Sequence, residues 1–483
     1  MVAICACAPS LAAPLGTDPV LLWNEQTNRS IQATAMDPFK ATRALALESI
    51  VVLDTLRSIA GKPGFLVRLP APADTPPDVA AHAAAHAILA HLFPARRTAL
   101  DAVFAKSLTA LPSGEKRKQA VVFGEAVAAA VAAIRDRDGS DLAGSVKIST
   151  EPGRWRPTPP GFYQPLNPQW ASVPPFAMIR PDQFRPPGPP VPGTKAFADA
   201  RIQTATIGGA DSHSRTADQT VAAHYWSDAI GTYAPAGHWN SIVSTIMQSE
   251  KLDMAAEATV FAELNVAIAD AAIAMADAKY TYWSWRPITA IQGGDADFPA
   301  RPNWTPLLET PNHPSYISGH SAFSGAAAAV LTSIFGTKPF RGGSDSLPGV
   351  SRAFNSFEQA AEEAANSRLW GGIHYKFDND DGLVTGRAVG AWAMATFRSS
   401  SQGRGPTIVL DRKGAGGFAF DNVAPVTAIE AVLDGGARMT IPVDAGGRFA
   451  FPWCSVGQHT LTLTATSVGG QVATVATTMT GGR

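Results

Sequence analysis

The chain has 483 residues, a net charge of −1, 46% hydrophobic residues and only 16% charged ones. That length holds one large domain or two ordinary ones. The near-neutral balance excludes the global field that draws a protein to nucleic acid or to an anionic membrane, and the apolar content suits a large buried helical core.

From the N-terminus, residues 2–8 are apolar and Ser10-Leu11-Ala12-Ala13 offers a small-residue cleavage pattern, with no basic segment before it. Residues 1–14 are therefore read as the remnant of a secretory signal, and the protein as secreted or periplasmic, with a cytoplasmic location as the alternative. Residues 23–60 carry a helical pattern until Gly61-Lys62-Pro63. An Ala-rich helix is expected over 78–93, holding His82, His86 and His91, with another over 119–134. His82 and His86 have the spacing of a two-ligand metal site but no evident third ligand. Residues 152–192 are Pro-rich, which excludes regular helix. Their aromatics, Trp155, Phe162, Tyr163, Trp170, Phe176 and Phe184, predict an extended strap packed over helices; a flexible linker is the alternative. Further helices are expected over 216–230, 238–248, 254–278 and 379–398. No uninterrupted apolar stretch of transmembrane length is read.

After Ser399-Ser400-Ser401-Gln402-Gly403 the pattern changes. Residues 458–464 and 472–475 alternate with period two, and Gly435-Gly436, Gly446-Gly447 and Gly469-Gly470 supply turns. The domain reading is thus a helical domain over 15–403 and a small all-β, immunoglobulin-like sandwich module over 404–483. Cys5, Cys7 and Cys454 have no zinc-ligand spacing.

Three short groups carry the chemistry. Lys279 and Arg286 are seven residues apart, two helical turns, which predicts both on one face of one helix that Pro287 then ends. Ser318-Gly319-His320 precedes an Ala-rich helical run, so its backbone N–H groups and the helix dipole can face an anion. His374 and Asp378 are four apart, a helical spacing that lets the carboxylate fix the imidazole, while Gly371-Gly372 breaks the chain between them and Arg368. Taken singly, each has an ordinary reading: solvated cations, a plain helix cap beside a histidine, a surface His–Asp pair. Together they describe a cage for a tetrahedral oxyanion.

With these residues in view, the chain resembles the vanadium-dependent haloperoxidase family, bacterial type, within the type 2 phosphatidic acid phosphatase superfamily. Its pattern is Lys-x6-Arg-Pro, then Ser-Gly-His, then Ser-Arg-x5-His-x3-Asp, met here by Lys279, Arg286-Pro287, Ser318-Gly319-His320, Ser367-Arg368, His374 and Asp378. One departure is Ile317, where many members have Pro. The resemblance implies a helical bundle of the haloperoxidase/acid phosphatase type. It also implies that His374 bonds vanadium, that Lys279, Arg286, Arg368, Ser318 and Gly319 hold the vanadate oxygens, that Lys279 polarises peroxide, that His320 moves protons and that Asp378 orients His374. Vanadate is the implied cofactor, with phosphate able to occupy the same site. Hydrogen peroxide, halide and a small organic molecule are the implied partners; the oligomeric state is left open. His313 resembles a position that is histidine in bromoperoxidases and aromatic in fungal chloroperoxidases, which implies bromide or iodide before chloride; a loop histidine without a halide role is the alternative. Few cysteines suit an enzyme whose product destroys thiols. The alternatives are an acid phosphatase using His374 as phosphoryl-accepting nucleophile and a non-catalytic surface-binding protein. The length of the region before Lys279 and the aromatic run 280–285 lean towards the peroxidase.

Overall fold

The computed structural model describes residues 18–399 except 68, 145 and 297, and then 406–410, 416–420, 426–443, 448–452, 457–467 and 472–481. The expected signal remnant, all three cysteines and the Gly446-Gly447 and Gly469-Gly470 turns lie outside these residues.

The chain up to Ser399 is mainly helical: α1 Pro19–Ala33, α2 Pro38–Ile59, α3 Pro77–Leu92, α4 Arg97–Thr109, α5 Glu115–Arg135, α6 Lys195–Ile207, α7 Ala217–Tyr225, α8 Ala234–Glu250, α9 Met254–Tyr282, α10 Pro287–Gly293, α11 Gly319–Phe335, α12 Phe357–Trp370 and α13 Lys376–Ser399. A short hairpin, β1 Phe340–Gly343 with β2 Ser351–Phe354, lies between α11 and α12. The stretch 23–60, expected as one helical region, divides at Asp37-Pro38. There the Asp37 carboxylate caps the amides of Phe39 and Lys40 (3.0 and 3.1 Å) and proline takes the first helical position, where its missing N–H costs nothing. The sequence reading passed over α4 and α6, whose exposed polar faces mute the apolar period.

At the centre is α9, nearly all of it buried, with α2, α11 and α13 packed against it. Contrary to the sequence reading, this helix is long and apolar enough to cross a membrane by length and composition, with a mean hydropathy of 1.5 over its best window. Glu263, Asp270 and Asp277 are spaced widely enough to leave such a window, and 94% of it is buried inside the protein. Helices α11 and α13 approach unusually closely: a Cβ on Gly386 would fall 2.1 Å from the Ala322 carbonyl oxygen, and one on Gly382 2.8 Å from that of Ser318. That approach brings the start of α11 to the start of α13, where the Ser318 amide donates to the Asp378 carbonyl (3.0 Å).

The Pro-rich stretch holds only a short 3-10 turn, Pro168–Ser172, and runs along α9. Asp270 accepts the amides of Phe176, Ala177 and Met178 (2.6, 2.8 and 2.7 Å), and one heptad on, Asp277 takes a bidentate pair from Arg185. The Tyr280 and Tyr282 hydroxyls donate to the Leu166 and Pro186 carbonyls. His82 Nδ1 accepts from Trp23 Nε1 (2.9 Å) and His86 Nε2 pairs with Asp101 (2.7 Å), so the possible metal pair is engaged elsewhere; no group of three metal-ligating side chains occurs among the described residues.

The C-terminal strands form two antiparallel sheets. The first has order β3-β4-β7 (Thr407–Leu410, Gly416–Phe420, Arg448–Ala450). The second has order β6-β5-β8-β9 (Arg438–Pro442, Val426–Leu433, Gly457–Ser467, Val472–Gly481). Ile408, Ala419 and Phe449 from the first and Ile429, Leu461 and Leu463 from the second share one buried apolar cluster.

Candidate oxyanion site

Lys279 lies in the last turn of α9, buried, with its ammonium donating to the carbonyls of Pro314 and Ser315 (2.6 and 2.9 Å). The helix does not continue to Arg286. It stops at Tyr282, with Trp283 in the left-handed region (φ 53°), and Arg286 is the residue that caps α10, whose first position is Pro287. The proline therefore opens the next helix instead of ending this one, as its fixed φ favours. The sequence placed both cations on one helical face; the structure brings them together across a turn.

The Arg286 guanidinium is fully buried. Nε donates to the His313 carbonyl (2.7 Å), Nη1 to the Ile373 carbonyl (2.8 Å) and to His374 Nε2 (3.0 Å), and Nη2 contacts His313 Nδ1 (3.0 Å). Arginine can only donate, so His374 Nε2 presents a lone pair and the ring proton sits on Nδ1, which donates to Asp378 Oδ2 (2.9 Å). His313 Nδ1 lies between Arg286 Nη2 (3.0 Å) and the Pro314 carbonyl oxygen (3.3 Å), which places the ring in the cage wall.

His374 was expected on a helix with Asp378. It instead precedes α13, and Asp378 in the first turn reaches back to its ring and to the Tyr375 amide (3.1 Å). A carboxylate at a helix start is well placed for such a bond. Arg368 ends α12 and Gly372 (φ 75°) turns the chain after it, as the glycine pair implied. Its guanidinium donates to the Trp226 carbonyl (2.5 Å) and to Ser367 Oγ (3.1 Å), with longer bonds to the Ala223 and Ser227 carbonyls.

Ser318 caps α11 and its hydroxyl accepts the Ser321 amide (3.5 Å). At Gly319 an added Cβ would make ordinary contact with the Met275 methyl at 3.6 Å, and the first amides of α11, like those of any helix, have no partner within the helix itself. His320 Nε2 lies 3.6 Å from Asp228 Oδ2.

Two contributors were missed from sequence. Ser315 donates to Asp378 Oδ2 (2.5 Å) while its own carbonyl takes Lys279, tying cation and carboxylate together. Asp228, buried in the turn after α7, faces His320 and Arg368. Ser315 stands beside the motif and was open to notice; Asp228 has no local signal.

The electrostatics point one way. Burial, with repulsion from Arg286, holds Lys279 well below its ordinary value although Asp378 opposes this. Burial brings Arg286 down to about 9 and Arg368 to about 10, against the pull of Asp378 and Asp228 respectively. Burial pushes Asp378 up to about 6 despite the Ser315 hydroxyl and Lys279. Burial and the neighbouring cations hold His374 and His313 well below the usual histidine range. Three buried cations against two buried carboxylates leave an excess of positive charge that an oxyanion would relieve, and forked guanidiniums match its oxygens. The donor set therefore fits vanadate or phosphate, and the His374 lone pair fits a bond to the central atom.

The fold and this cage define a helical-bundle protein with a buried, cation-rich site whose donors suit an oxyanion. A family model described as the VCPO second helical-bundle domain matches residues 259–403, which span every group of the cage. The chain is 28% identical over 279 residues to vanadium chloroperoxidase of Curvularia inaequalis, covering 47% of this chain and 45% of that protein. Among solved structures, a bacterial vanadium-dependent iodoperoxidase superposes with a TM-score of 0.71 and 26% identity, over 80% of this chain and 98% of the other. A holo-type bacterial vanadium-dependent chloroperoxidase shares the fold, with a TM-score of 0.60 and 17% identity over 76% of this chain and 93% of its own. The family model, the sequence relative and the structural match together support the vanadium haloperoxidase family. The chain spans less than half the length of the curated fungal relative that it matches.

Proposed function

We propose that the protein is a vanadate-dependent peroxidase that oxidises halide with hydrogen peroxide to a hypohalous-acid equivalent, which halogenates a small organic substrate. One observation carries this reading: three buried, mutually repelling cations surround a histidine whose Nε2 lone pair is held towards them by Asp378. Lys279, Arg286, Arg368, the Ser318 hydroxyl and the Gly319 N–H would hold vanadate, with His374 as its one protein ligand. Bound vanadate supplies Lewis-acid activation of peroxide. The chain's own part is to neutralise the oxygens, to exclude bulk water by burial, and to move a proton at the His320 ring, which burial and Arg368 hold down at about 3 and so neutral near pH 7. The Lys279 proton left over from its two carbonyl bonds is available to polarise the oxidant.

The named relatives are haloperoxidases, which gives the acid phosphatase alternative no support. His313, hydrogen-bonded to Arg286, is the residue we assign to halide choice, with bromide or iodide preferred to chloride. The two C-terminal sheets we read as an immunoglobulin-like sandwich, which their shared apolar cluster supports, attached to a helical domain over 15–403. The test is halogenation of a phenol by vanadate-loaded protein with each halide in turn. Bromide and iodide are expected to turn over well and chloride poorly; chlorination as efficient as bromination would refute the role given to His313.

A further inference from the structure

Of the cage groups, Lys279, Arg286, Ser318, Arg368, His374 and Asp378 are buried, while His313, Gly319 and His320 are partly exposed. A substrate therefore meets the cage along the edge that runs from His313 to His320. On the His313 side the Pro-rich strap builds that edge. The Asn312 side chain donates to the Gln164 carbonyl (2.8 Å), and the Leu166 amide donates to the Asn312 carbonyl (2.9 Å). The Tyr280 hydroxyl holds the same turn through the Leu166 carbonyl, and Asn167 Nδ2 donates to Asp37 (2.7 Å). The Phe39 ring meets both His313 and the strap's Trp170, with centroids 6.0 and 5.7 Å apart. Directly before these anchors stand Phe162 and Tyr163, 59% and 62% exposed. Phe162 holds a φ of 47°, where a bulky residue is rare, and its amide donates to the Thr158 carbonyl (3.0 Å). A Cβ on Gly161 would overlap the Tyr163 ring, which therefore lies against backbone that only glycine leaves bare. Scattered exposed apolar residues need no explanation. Two adjacent rings beside a site opening, one on a strained backbone, ask for one.

We propose that Phe162 and Tyr163 form a stacking platform that holds an electron-rich aromatic substrate, of the phenol class, at the mouth of the cage. The inference deepens the peroxidase reading above and rests on it for its catalytic consequence. A hypohalous-acid equivalent is an electrophile, so electron-rich rings are its best acceptors. Such rings pair with Phe and Tyr in offset or edge-to-face geometry. The Tyr163 hydroxyl adds a donor and an acceptor that can meet a phenolic oxygen. A substrate held there meets the oxidant as it leaves the cage, before bulk water dilutes it. The competing occupant is a second copy of this chain, for which the same two rings would be a contact surface.

The experiment compares the full chain with Phe162→Asn, which removes the ring and suits a left-handed backbone, with Tyr163→Ser, and with Phe162→Tyr, which keeps the ring. Ile179→Ser, elsewhere on the strap at a residue 77% exposed, is the control. Vanadate-free protein is titrated with p-fluorophenol by fluorine NMR, with cyclohexanol as competitor. Expected is binding that cyclohexanol does not displace. The dissociation constant should rise about 3- to 10-fold in Phe162→Asn and in Tyr163→Ser, the range for one aromatic pair, and stay near the parent's in Phe162→Tyr and Ile179→Ser. With vanadate, peroxide and bromide supplied, KM for the phenol should rise by the same factor while kcat changes little. A parent that does not bind p-fluorophenol, ring-removing variants that bind it as well as the parent, or an equal effect of Ile179→Ser would overturn the proposal. So would a parent that sediments as a dimer and becomes monomeric in Phe162→Asn, which would give the rings to a contact between copies. Should Phe162→Asn not fold, Tyr163→Ser decides by the same titration. The binding arm needs neither vanadate nor turnover, so failure of the peroxidase reading and failure of this platform are separate results.

Discussion

His374→Ala separates the two anions that the cage cannot tell apart by charge. The imidazole is 3% exposed and makes two strong contacts, to Asp378 and to Arg286. After truncation the Asp378 carboxylate still accepts from Ser315 and the Tyr375 amide, and Arg286 still donates to the His313 and Ile373 carbonyls. No buried charge is orphaned, so the loss is two hydrogen bonds and a small cavity, about 2–4 kcal/mol, within the stability of an ordinary domain. Vanadate and phosphate share charge and tetrahedral shape, and in the proposed site they differ only in the bond from Nε2. A bond worth ~2.7 kcal/mol more for one anion is a factor of about 100 in affinity. The expected outcome is a parent protein that prefers vanadate by at least that order and a variant whose two dissociation constants converge, with phosphate binding changed little. Calorimetric titration of both anions into stripped protein, beside a thermal melt, measures this. A variant that keeps the vanadate preference would remove His374 from its role.

Two further outcomes follow from the same geometry. His320→Ala should lose about 10²–10⁴-fold in rate, the usual share of a general acid–base group, with comparatively small loss of vanadate affinity; loss of both together would make it a binding residue. Glu48, in the middle of α2, tests the core: burial pushes its carboxyl up to about 8, against a smaller opposing effect of Ser49. Between the unfolded value of 4.5 and about 8 the native state keeps a proton that the unfolded chain releases, so this group's contribution to stability falls as pH rises through that window. Glu48→Gln should therefore gain on the parent by about 3 kcal/mol more at pH 8 than at pH 5.5, at ~1.4 kcal/mol per unit. Urea unfolding at the two pH values checks it, and an equal gap at both would refute the burial argument.

The cage was legible from spacing because its parts are local. Ser318-Gly319-His320 had to begin a helix, and Gly371-Gly372 had to turn the chain between Arg368 and His374; both do. The path between Lys279 and Arg286 was not legible, since the left-handed residue that ends α9 is Trp283, which carries none of the glycine signal of such a position. Asp228 and His238 were invisible for a different reason. His320 is remote from both in sequence, and only tertiary packing, α8 on α11 and α7 on α12, brings the three together. Asp270 and Asp277 each accept donors from the Pro-rich strap, a pairing set by tertiary contact alone that no local pattern announces.

The central claim, that this cage serves vanadate-dependent halide oxidation and not phosphoryl transfer, is met most directly by a paired assay on vanadate-stripped protein. Hydrolysis of p-nitrophenyl phosphate is measured beside bromide-dependent halogenation of a phenol, before and after vanadate is restored, with phosphate as competitor. The account predicts slow or no ester hydrolysis, halogenation that appears only with vanadate and peroxide, and reconstitution that phosphate inhibits. Fast ester turnover with no vanadate-dependent halogenation would contradict it.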